Sequence, residues 1–273
     1  MMTMTSVSIG IGAAVLAFVL GATLYVLGSY ALFLLEHAEP RRLRLTLSAI
    51  AHELAWTLLI QPLLPFYYFV GRRLAAGDGM PIVAIHGYMQ NRVDFLGLAF
   101  RLRRSGLGPV YGFNYPWYRS ARSNAGKLAR FIDAVRVETG KDRVALVCHS
   151  MGGLVALQYL LHHDGARHVA KCVTIAAPHA GIVFRGPLLG AAHRELRKGS
   201  DLINSLGGRI PVPMLSIASS HDNIAHPAPT SALADRGGID LIVEGPGHLA
   251  ILFDPRVTDH VVEFLRDAPV ARG

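Results

Sequence analysis

Cysteine is nearly missing from the 273 residues: only Cys148 and Cys172 occur, both inside apolar runs and without metal-ligand spacing. A disulfide framework and a zinc site are thereby excluded as organising principles. Charge is also scarce, at 17% of residues against 51% hydrophobic, a balance that excludes a disordered chain. Residues 1–40 lack lysine and arginine and carry only Glu36 and Glu39. A cleaved signal peptide needs a basic stretch ahead of a short apolar core, and nothing basic precedes Arg41. No internal repeat and no low-complexity linker interrupts residues 78–273.

The charge that is present is uneven. The formal net charge of +8 resides in residues 41–130, where thirteen basic residues face only Glu53, Asp78 and Asp94, while residues 131–273 hold fourteen of each sign. Nucleic-acid binding would require that basic stretch to be interleaved with stacking aromatics or carried on a binding motif, and neither is found. A basic band following an apolar N-terminus points to a membrane surface instead.

Residues 7–35 contain no charge. As a helix they would be about 43 Å long, more than the ~30 Å hydrocarbon core, so they can span it with some tilt. The segment reads as a retained membrane anchor, and membrane lipid is an expected partner. A second apolar stretch, about residues 48–70, carries Glu53 and Gln61 and is broken by Pro62 and Pro65. It is expected as an interfacial helix, with a short second span or packing within the soluble part as the alternatives. The side of the membrane depends on that choice. With one span, Arg41, Arg42 and Arg44 keep the following domain in the cytoplasm; with two, they form the cytoplasmic turn and the domain faces outside.

From the turn at Gly77-Asp78-Gly79 onwards, short apolar runs alternate with helical patterns. Strands are expected over 81–85, 110–114, 144–148, 169–175, 214–217 and 239–243, and helices over 93–104, 124–138, 153–163 and 257–266. Leu128, Phe131, Ile132 and Val135 form one helical stripe, whereas Val144-Ala145-Leu146-Val147 is apolar throughout, as in a strand buried on both faces. This alternation implies α/β architecture: a mostly parallel, doubly wound sheet with helices on both faces, in a single domain over 78–273.

The stretch Val147-Cys148-His149-Ser150-Met151-Gly152-Gly153 joins the buried strand to the next helix, where a nucleophile elbow sits. The bland reading of Ser150 is a helix N-cap. Ser205-Leu206-Gly207 repeats the Ser-x-Gly, but Ile203 is bulky two residues before that serine and no buried strand precedes it. A nucleophilic serine needs oxyanion donors. The backbone N–H of Tyr88, in His86-Gly87-Tyr88-Met89 after the first strand, and that of Met151 stand in the required places. Of thirteen histidines, His248 lies in the loop after the last strand, where the general base belongs. Asp222, in the loop after 214–217, would hold the imidazole; its bland reading is an Asx turn. Asp235 and Asp240 precede the last strand and are weaker candidates.

With Ala177-Pro178-His179-Ala180-Gly181 added, these motifs resemble the α/β-hydrolase superfamily, and within it bacterial lipase- and esterase-like members, over roughly residues 78–268. Cys148 departs from the glycine usual two residues before the nucleophile. The resemblance implies a Ser150–Asp222–His248 triad, oxyanion donors at Tyr88 and Met151, and neither cofactor nor metal. His179 becomes a candidate substrate contact or a packing residue. A cap-like insertion is expected over 182–208, where Leu188, Leu189, Leu196 and Leu202 line an acyl pocket or cover the core. The implied activity is a membrane-anchored serine hydrolase, in a bacterial inner membrane, cleaving apolar acyl esters through an acyl-serine. The alternatives are a thioesterase or acyltransferase with the same triad, or a non-catalytic scaffold.

Overall fold

The computed structural model describes residues 4–36, 43–183 and 189–266. Seven strands form one sheet: β1 (Arg73–Ala75), β2 (Ile82–Ile85), β3 (Val110–Phe113), β4 (Val144–His149), β5 (Val169–Ile175), β6 (Met214–Ser219) and β7 (Ile239–Val243), in the order β1-β3-β2-β4-β5-β6-β7. All pairings are parallel except β1 with β3. β1 was not expected from the sequence; three residues are too few to display a period.

The helices are α1 (Met4–Glu36), α2 (Leu43–Ile60), α3 (Leu96–Arg104), α4 (Ala121–Thr139), α5 (Met151–His162), the short α6 (Gly165–His168), α7 (Ala192–Glu195) and α8 (Asp201–Ser205), and α9 (Pro255–Arg266). In β4, alternate residues point to opposite faces. Val144, Leu146 and Cys148 join a core with residues of α4 and α5, while Ala145 and Val147 join one with residues of α3 and α9. The apolar stripe of α4 delivers Leu128, Ile132 and Val135 to the first core with no residual exposure. Ser120 caps the start of that helix through Arg122 N–H, and Gly140 ends it at φ 64°. In the stretch expected to be a cap, Leu196 and Leu202 are core residues, Leu189 is exposed, and Leu188 lies outside the described residues.

The second apolar stretch begins earlier than expected and divides. α2 runs over Leu43–Ile60, then Gln61–Tyr68 continues as a 3-10 helix containing Pro62 and Pro65. Prolines supply no N–H for an α ladder, which accounts for the change. Both α1, over Gly12–Leu35, and the segment Arg44–Tyr68 are long and apolar enough to cross a membrane by length and composition. Neither is free of the rest of the chain. Val26, Tyr30 and Phe33 of α1 and Ala49 of α2 form a buried cluster, and Trp56 of α2 stacks on Phe253 at 4.0 Å. The part of α1 before this cluster keeps Val15, Leu16, Leu20 and Leu24 exposed.

Candidate active site

β4 ends in a sharp turn at Ser150, whose φ of 52° and ψ of −126° place a non-glycine residue at left-handed φ. Such a conformation costs about 1–3 kcal/mol and persists only where the surroundings impose it. Two residues on, a Cβ on Gly152 would stand 2.6 Å from the His86 carbonyl oxygen and closer still to that of Ile85. Only glycine lets α5 start this close to the end of β2. The Ser150 hydroxyl makes no cap bond to α5, so the N-cap reading fails. It lies 2.9 Å from His248 Nε2 instead.

On its other edge, His248 Nδ1 is 3.0 Å from Asp222 Oδ1 and 2.9 Å from Oδ2. Asp222 also makes the Asx-type turn: its Oδ1 accepts from Ile224 N–H at 2.8 Å and Ala225 N–H at 2.7 Å. One carboxylate therefore makes both the turn and the contact to His248. Burial alone would raise the pKa of Asp222, but the His248 charge and these hydrogen bonds outweigh it and hold it below the ordinary carboxylate range. For His248, burial acts downward and the Asp222 carboxylate upward; the carboxylate wins, and the pKa is raised.

Met151 N–H opens α5 beside Ser150, at the positive end of the helix. Tyr88 follows Gly87, where a Cβ would lie 2.8 Å from the Ser150 Cβ. Neither amide has an acceptor among the described residues. The Tyr88 ring meets Trp117 edge-on at 4.9 Å, and its hydroxyl accepts from Leu189 N–H.

His179, His221, His226 and His260 lie elsewhere. His179 is buried against β5, with Nε2 3.0 Å from Thr174 Oγ1, and burial pushes its pKa down to about 3. It is absent from the cavity that reaches His248. His221 and His226 flank Phe33, and His260 faces Glu263 on α9. Ser205 turns its hydroxyl back to Leu202 O.

Sequence reasoning missed the groups that hold the histidine loop. His149 does not reach Ser150, but its Nε2 is 2.9 Å from the His248 carbonyl oxygen and its Nδ1 is 2.7 Å from Gln90 Oε1, which also accepts from Gly87 N–H. Burial pushes the His149 pKa down to about 3. Asn223 Oδ1 accepts from His248 N–H at 3.0 Å, while its amide donates to Ser29 of α1 at 2.7 Å. Tyr30 of α1 donates to His221 O. Glu53 of α2 is buried and accepts from Leu249 and Ala250 N–H, both at 2.9 Å. The only sequence signal was a carboxylate inside an apolar stretch.

Among the described residues no cluster of His, Cys, Asp and Glu could hold a metal ion. Residues 81–191 match the family model described as alpha/beta hydrolase fold. The chain has the α/β-hydrolase fold. Solved structures agree. Aspergillus fumigatus lipase B superposes with a TM-score of 0.63 at 18% identity over 73% of this chain, which spans only 56% of that lipase. A mature Bacillus licheniformis lipase gives 0.59 at 17% identity, covering 70% of this chain and 93% of its own. The monoacylglycerol lipase of Paleococcus ferrophilus gives 0.53 at 18%, covering 70% and 96%. At such identities the likeness is one of fold, and α/β-hydrolase folds carry many activities.

Proposed function

We propose that this chain is a serine hydrolase that cleaves carboxylic esters of apolar acyl groups, held at a membrane by α1. The observation that carries the reading is the unbroken relay from Ser150 through His248 to Asp222, with contacts of 2.9 Å at both imidazole nitrogens. His248 takes the serine proton as Oγ attacks the ester carbonyl, and Asp222 stabilises the imidazolium that forms. The developing oxyanion is received by the amides of Tyr88 and Met151. His248 then returns the proton to the leaving alcohol, and water releases the acid from the acyl-serine by the same steps in reverse order. The lipase neighbours of the fold support an ester substrate, and the uncharged stretch of α1 exposed over residues 12–20 supports the membrane seat.

The test is full-length protein in phosphatidylcholine vesicles, assayed on p-nitrophenyl esters and with a fluorophosphonate probe. The reading requires ester cleavage and labelling that both vanish in Ser150→Ala. Absence of either from folded parent protein would refute it.

A further inference from the structure

A cavity of about 330 Å³ runs from the catalytic histidine to the N-terminal helices. One wall is Tyr88, Met89, His248 and Leu249, from the loops around Ser150; the opposite wall is Phe18, Gly21, Ala22 and Tyr25, one face of α1. The spacing i, i+3, i+4, i+7 is a helical stripe, and it lies directly before Val26, the first residue of α1 in the cluster it shares with α2. Its size is at the lower end of the roughly 300–1,000 Å³ usual for small-molecule sites.

The position of the stripe along α1 matters more than its composition. Met4 to Tyr25, the part of α1 before the docked cluster, is about 33 Å long, enough to cross a ~30 Å hydrocarbon layer. Phe18 to Tyr25 is then its last ~10 Å on the domain side, the depth occupied by acyl chains rather than by headgroups or water. A second feature marks the same side of the cavity. Gln61 lies on its rim, and the segment it opens leaves Leu63, Phe66 and Tyr68 exposed, followed by an exposed Phe69. An aromatic patch of this kind suits the membrane interface.

We infer that α1 is a wall of the substrate site: a single acyl chain, drawn sideways from the bilayer, lies between α1 and the histidine loop with its ester carbonyl at Ser150. This rests on the ester-hydrolase reading. On this view the stretch after Ile182 does not supply the acyl pocket; Leu196 and Leu202 are already committed to the core.

The experiment uses full-length protein in phosphatidylcholine vesicles and compares kcat/KM for p-nitrophenyl dodecanoate and butyrate. Gly21 has open space where a side chain would go, so Gly21→Phe and Ala22→Phe fill the cavity. Each should lower the dodecanoate-to-butyrate ratio by about tenfold or more, the effect of losing roughly two buried methylenes. Leu20→Phe, on the exposed face, should leave the ratio unchanged. Should a cavity variant fail to fold, the parent enzyme is labelled with a long-chain alkyl fluorophosphonate bearing a diazirine at the tail. Crosslinks within residues 18–25 are expected. An unmoved ratio in both cavity variants, or crosslinks confined to residues 189–208, overturns the inference while Ser150-dependent butyrate cleavage leaves the hydrolase reading standing. Loss of that dependence would instead sink the reading itself.

Discussion

Replacing Glu53 perturbs the proposed active site without touching any triad residue. Its carboxylate Oε1 takes Leu249 N–H at 2.9 Å and Oε2 takes Ala250 N–H at 2.9 Å, the two amides directly after His248. Glu53→Leu leaves both buried donors without an acceptor, at about 1–3 kcal/mol each, offset in part because a carboxylate is no longer buried. The net loss of stability should be about 1–4 kcal/mol, and part of it can be relieved only by moving the loop. A shift of about 1 Å in a catalytic group lowers turnover by about a hundredfold. Glu53→Gln keeps one acceptor and turns an NH₂ towards the other amide, so about tenfold is expected, half of the same effect on a logarithmic scale.

The assay is kcat and KM on a short ester across a pH series, in vesicles. Positioning predicts a loss mainly in kcat, ordered parent, then glutamine, then leucine. If both variants fold and keep kcat within about twofold of the parent, the loop is held by other contacts and the reasoning is refuted.

Other consequences can be measured. As the proposed general base His248 must be neutral, so kcat/KM should rise with pH through a pKa above the ordinary histidine value, 6.5. Asp222→Asn removes the chief cause of that elevation and leaves burial to act alone. The limb should move to lower pH, with kcat down by about 10³–10⁴-fold; an unmoved limb would mean that another group sets it. Gly152→Ala drives a Cβ into the carbonyls of Ile85 and His86. Thermal unfolding and ester cleavage should both suffer, and a variant matching the parent in each would show that the elbow can open. Cys148 and Cys172 are fully buried, and burial raises the Cys148 thiol well above its ordinary range. Native protein should therefore resist a disulfide-exchange thiol reagent until unfolded, whereas fast reaction at either cysteine would contradict this packing.

The parallel sheet was legible because its central strands β2 and β4 are short, apolar and buried throughout, the pattern of a sheet covered on both faces. The residues of the relay were legible for a related reason. Ser150, Asp222 and His248 follow β4, β6 and β7, and parallel strands place their following loops at one end of the sheet. β1 escaped because it is short and pairs antiparallel at the edge, with one residue in three buried. The oxyanion loop could be located but not its fixing by Gln90, since a glutamine four residues after His86 has no sequence signature of its own.

The N-terminal helices were the least legible part, for a physical reason. An apolar run carries the same composition whether its face meets lipid or a protein core, so nothing in residues 7–35 distinguishes Leu24, which is exposed, from Val26, which is buried. The mark of docking sits at the other end of the chain, in Gly247. A Cβ there would stand 2.7 Å from the Tyr30 hydroxyl and closer still to the Glu53 carboxylate. The glycine before the proposed catalytic base is therefore required by α1 and α2 and not by proton transfer. Gly247→Ala should push those helices and the His248 loop apart, lowering kcat by about ten- to a hundredfold. The cavity walls are these same two elements, so the dodecanoate-to-butyrate ratio should fall with it. A variant with parent kcat and an unchanged ratio would separate the helices from catalysis.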